Sequence, residues 1–137
     1  MRYSLFEHRK DVLVLVARVL LVILFVIFGW GKLTSFTSAV GYMETEGAPL
    51  PTISAIIAIV MEFFVGLALV IGFYTRPLAL LLVVYTLGTA LIGHHFWTMT
   101  DGDRAANMIN FYKNISIMGG LLLLSVTGPG KYSVDGK

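Results

Sequence analysis

The stretch "TISAIIAIVMEFFVGLALVIGF", residues 52–73, is apolar enough and long enough to cross a bilayer, yet it carries one carboxylate, Glu62, near its centre. A membrane-crossing helix needs roughly 20 mostly apolar residues at about 1.5 Å rise each. Three further stretches meet that requirement, residues 12–30, 77–93 and 109–128. Of the 137 residues, 57% are hydrophobic and 13% charged, whereas a water-soluble domain averages about 45–50% and about 25%. Such a chain has too little polar surface to cover its own apolar mass. The expected fold is an all-α integral membrane bundle of four helices in a single domain, residues 1–137. None of the four runs shows the alternation of a membrane β-barrel strand. Arg9 and Lys10 before the first run imitate a signal peptide. That run is too long for a signal core, and no small-residue cleavage site follows it, so it reads as an uncleaved span.

The connections add detail. "FYTRPL" is short, so helices two and three are antiparallel neighbours, with Pro77 placed at the first position of helix three, where a missing N–H costs nothing. In the longer loop 33–51, Phe36, Val40 and Met43 recur at helical spacing. This predicts a short interfacial helix lying on the membrane surface, ended by "GAPLP". "HHFWTMTDGDRAAN" ends helix three, and Asp101 or Asp103 is the expected cap of helix four. Arg2, Arg9, Lys10, Arg76, Lys131 and Lys137 fall on one side of the bundle, against Lys32, Arg104 and Lys113 on the other. The positive-inside rule then places both termini in the cytoplasm. The net charge of +2 is a topology signal and no argument for nucleic acid, since no basic patch interleaves with aromatics. With no cysteine in the chain, thiolate metal sites and cysteine-based sulfur or disulfide chemistry are excluded for this chain alone.

Charges within the spans are costly, at least about 2.5–3.5 kcal/mol at the bilayer centre, and so turn inward to meet one another. Arg18, Glu62 and Lys113 are the candidates for a buried ion pair, and the polar stripe on helix four favours Lys113 as the partner of Glu62. Helical periodicity puts Ala55, Ala58 and Gly66 on the face of Glu62, and Arg18, Phe25, Gly29 and Lys32 on one face of helix one. Thr86, Ala90 and His94 share a stripe on helix three, with Tyr85 and Thr89 beside it. Asn107, Asn110 and Asn114 share one on helix four. Four small or polar faces turned inward predict a polar cavity in the outer half of the bundle. Its candidate ligand contacts are Lys32, Glu62, His94, Asn110, Lys113 and Asn114, with Glu62 and His94 the candidates for proton transfer. Each has a plainer reading: a structural ion pair for Glu62, a snorkelling anchor for Lys32, interhelical glue for the asparagines. His94 and His95 are adjacent, so they point about 100° apart and do not make a metal site.

"FGWGKL" closing helix one, "ME" within helix two followed by "GLALVIGFYTRPLAL", "NFYKN" in helix four and the terminal "LLLLSVTGPGKYSVD" carry a resemblance to the DoxX family of small four-helix membrane proteins. The matching positions are Gly31, Lys32, Glu62, Arg76, Asn110, Lys113 and Asn114. The resemblance implies a bacterial inner-membrane location. It also implies a link to redox complexes, since the family is named for a subunit of an archaeal thiosulfate:quinone oxidoreductase and other members are associated with oxidative stress. Two function classes follow. One is a membrane subunit of a quinone-linked or sulfur and oxidative-stress redox system, with a redox partner protein or a second copy and with quinone as its bound cofactor. The other is a non-enzymatic binding or assembly module for a lipid-like ligand or a partner protein.

Overall fold

The computed structural model describes residues 4–137, so Arg2 lies outside the described residues. Helix α1 spans Lys10–Thr34 and α2 spans Phe36–Thr45. The second span, Pro51–Ile71, is continuous but not uniform. It comprises α3 (Pro51–Ile59), a π-helical turn (Val60–Phe64) and α4 (Val65–Ile71). Helix α5 covers Thr75–Gly93 and α6 covers Asp101–Thr127. Four helices are long and apolar enough to cross a membrane, and no strand occurs among the described residues. The fold is an all-α membrane bundle with a short helix, α2, in the loop between the first two spans.

Inside the bundle, Val22, Phe25, Met61, Val65, Leu69, Leu82 and Leu121 form the core. Large apolar side chains such as Leu20, Ile27, Val84 and Leu123 face outward, as a lipid-facing surface requires. Hydrophobic burial does not drive helices together in lipid, so close packing must. Gly29 supplies the tightest contact: a Cβ there would lie 2.8 Å from the backbone Cα of Phe63. Backbone meets backbone at this crossing, and it sets the register between α1 and the second span. Helix α1 breaks at Ser35, whose φ of −131° and ψ of 57° are not helical. The break comes about 8 Å beyond the crossing, while the second span continues for about 18 Å to Pro51. Helix α1 therefore stops well short of the loop end of the bundle, and α2 turns aside to pack against α3.

The opposite end carries the start of α1 and is clamped by the carboxyl tail. Gly72, at φ 74°, closes α4 in a Schellman turn, with Phe73 N–H on Ala68 O (2.8 Å) and Gly72 N–H on Leu69 O (3.2 Å). The tail then pairs alongside, Val134 N–H on Ile71 O (3.0 Å) and Asp135 N–H on Gly72 O (2.9 Å). A Cβ at Gly72 would run into Ser133. The Asp135 carboxylate accepts the N–H groups of Tyr74 (2.9 Å) and Thr75 (2.8 Å), capping α5 from 60 residues away. Arg76 donates to the last carbonyls of α6, on Val126 and Thr127.

Three local expectations change. Helix α6 starts at Asp101 rather than near residue 109, because the polar stretch before the apolar run is also helical and hydropathy marks only its apolar part. Asp101 and Asp103 consequently sit in the first turn of α6, where they favour the helix dipole. Thr100 holds the cap position, without a side-chain cap bond. Helix α5 begins at Thr75, so Pro77 is its third residue rather than its first, still within the turn whose N–H groups have no helical partner.

Candidate functional site

Glu62 lies in the π turn, about 16 Å along the second span from Pro51. A π turn closes i→i+5 bonds, here Val65 N–H on Val60 O, and so widens the helix by one residue. Such turns concentrate at functional sites. Glu62 is buried, and both its oxygens are engaged. Lys32 Nζ donates to Oε1 at 2.8 Å, and the Tyr85 hydroxyl donates to Oε2 at 2.5 Å. The side chains of Lys32 and Glu62 retain 22% and 10% exposure, so the pair lies just beneath the bundle surface and is not sealed in the core. The Lys32 ammonium also sits 5.9 Å from the centroid of the Phe28 ring.

The partner of Glu62 is thus Lys32, a correction to the expected Lys113. Lys113 is exposed on α6 and has no ion-pair partner among the described residues. The physical reason is register. Lys32 follows the Gly29–Phe63 crossing by one turn, at the level of Glu62, so its ammonium reaches inward and does not snorkel to the surface. Arg18, the other expected partner, makes no bond to Glu62. It is 2% exposed and its guanidinium donates to carbonyls of Val70 (2.9 Å), Tyr132 (2.9 Å) and Pro129, tying α1 to α4 and the tail. Five donors in a rigid fork suit several carbonyls better than a single carboxylate about 12 Å further along the span.

The other polar residues expected around an outer cavity bond elsewhere or not at all. His94 ends α5 about 14 Å beyond Tyr85, and its Nδ1–H donates to Asn107 Oδ1 at 2.9 Å. His95 Nδ1–H instead donates to Ile92 O at 2.7 Å. Asn110 and Asn114 are half-buried on the same face of α6 as Asn107, without a hydrogen bond among the described residues. Hydrogen bonds join Lys32, Glu62 and Tyr85; among the described residues none links His94, Asn110, Lys113 or Asn114 to them. Tyr85 was legible only as a hydroxyl beside a small-residue stripe, and its depth, midway along α5, was the available signal.

A four-span membrane bundle with a buried ion pair in a π-helical turn defines the class of this protein. A family model, DoxX, matches residues 13–95, more than half of the chain. The chain belongs to the DoxX family. It is similar to inner membrane protein YphA of Escherichia coli, 52% identical over 98% of this chain and 96% of that one. It is likewise similar to inner membrane protein YqjF of the same organism, 44% identical over 92% of each. A more distant relative is the Surfeit locus protein 4 homolog of Schizosaccharomyces pombe, 31% identical over 96% of this chain but only 39% of that protein. No solved structure matches the chain significantly.

Proposed function

We propose that this chain is an inner-membrane subunit of a redox system that holds the head group of a quinone-like lipid at Lys32, Glu62 and Tyr85, with both termini in the cytoplasm. One observation carries the reading: two donors, an ammonium and a phenol, converge on one carboxylate within the membrane span. A quinone carbonyl needs a donor, which Lys32 provides through the N–H bonds it does not give to Glu62. A quinol hydroxyl needs an acceptor, which Glu62 provides. Oxidation of a quinol to a quinone releases two protons and two electrons. In this reading Glu62 takes up one proton, the second passes to water, and both electrons pass to an electron-accepting partner protein.

Mass spectrometry of lipids co-purifying in mild detergent tests the proposal. Quinone is expected with the unaltered protein and is expected to be lost in E62Q and Y85F variants that still fold. Equal quinone content in all three, or none in any, overturns it. A second reading draws on the fact that both carboxylate oxygens are already satisfied within the chain. The cluster then fixes helix register, and the protein is a binding or assembly module. A stoichiometric partner protein without quinone favours that alternative.

A further inference from the structure

Tyr85, Thr89 and Gly93 recur every four residues along α5, and all three are half-buried. They form one stripe from the bond partner of Glu62 to the loop end of the bundle. At its far end stands Tyr42 of α2, whose hydroxyl lies 3.6 Å from where a Cβ on Gly93 would be. We propose that this stripe is the route by which water and protons reach Glu62 from the loop end, and that the Tyr42 ring closes its mouth. The proposal rests on the reading of Lys32, Glu62 and Tyr85 as a working site.

Three features support the direction of the route. The other way is blocked: Val22, Leu69, Leu82 and Leu121 are each 0% exposed and lie between the site and the tail end. At the loop end α1 stops at Ser35, so α2 takes its place beside the first turns of α3. The stripe itself bears two hydroxyls, Tyr85 donating to Glu62 and Thr89 to Thr86 O, whose oxygens still accept from water, with Tyr42 at the mouth. Tyr42 also senses the site: partial burial first, then Glu46 and Glu62, push its phenol above the ordinary tyrosine range. A carboxylate within a membrane that exchanges a proton needs such a path, since bare hydrocarbon carries none.

The chain has no cysteine, so a single thiol can be placed without background. T89C in the full-length protein, reconstituted in vesicles of known orientation, is treated with a charged, membrane-impermeant thiol reagent from either side. Slow labelling is expected from the loop-end side only. It should be severalfold faster in T89C/Y42A and unchanged in T89C/Y42F, where the ring remains. A second small replacement, Y42S, and melting curves for every variant separate loss of the ring from loss of the fold. Equal rates with and without the Tyr42 ring, no labelling at all, or labelling from the tail-end side overturns the proposal. Quinone content, measured on the same preparations, distinguishes failure of the route from failure of the site: an unused stripe leaves bound quinone unaffected, whereas a non-functional cluster shows none.

Discussion

Removing one member of the Lys32–Glu62 pair should be far more damaging than removing both. At 2.8 Å, two opposite unit charges attract by about 6 kcal/mol if the effective dielectric constant is about 20. Taking both ions out of water costs several kcal/mol each, so the intact pair contributes little net stability beyond an apolar replacement. With one partner gone, the cost of the other stands uncompensated. K32M and E62Q are each expected to lose roughly 3–5 kcal/mol, toward the lower figure because exposures of 22% and 10% leave the pair incompletely buried. The double variant should recover most of that loss. K113M, altering an exposed side chain outside the cluster, should stay within about 0.5 kcal/mol. Thermal and denaturant unfolding of the four variants in one mild detergent measures the coupling. Additive losses in the double variant, or a larger loss for K113M than for K32M, would show that the pair does not act as described.

Three other changes probe the frame around the site. G29A forces a methyl group against the backbone of Phe63 and should cost about 1–3 kcal/mol, with weakened Lys32–Glu62 coupling in the same cycle. R18M strips the guanidinium from carbonyls on Val70, Pro129 and Tyr132; a loss of at least about 3 kcal/mol and protease sensitivity of the tail are expected, and a silent R18M contradicts the clamp. D135A should cost about 0.5–2 kcal/mol through the lost cap of α5. The Thr75 N–H bond holds the Asp135 carboxyl below its ordinary range. Its stabilisation is therefore full above the unfolded value of about 3.9 and disappears as pH falls through the lower folded value. The difference between wild type and D135A in acid melts should shrink accordingly, and a difference constant down to strong acid refutes the assignment.

Local chemistry makes much of this protein readable from its sequence. Twenty apolar residues in a row can hide nowhere but in lipid, so the number of spans follows from hydropathy alone. Small residues at whole-turn spacing marked the inward faces: Ala55, Ala58, Glu62 and Gly66 are all buried. Glu62 stood out because a carboxylate within a span must have partners, and the helical spacing of Phe36, Val40 and Met43 announced α2. Which partners Glu62 has was not readable. The depth of Lys32 depends on where α1 breaks and on where Gly29 meets Phe63, and neither is a property of residues near Lys32 in sequence. Tyr85 joins the carboxylate only because α5 is held against the second span at that height, through a π turn with no compositional signature. Arg18 found carbonyls instead of a carboxylate because the tail folds back over it, and Asp135 caps a helix that starts 60 residues earlier. Hydropathy acts residue by residue and survives in any arrangement of the helices, whereas pairing of buried polar groups depends on helix register, which close backbone packing sets only when the whole bundle assembles.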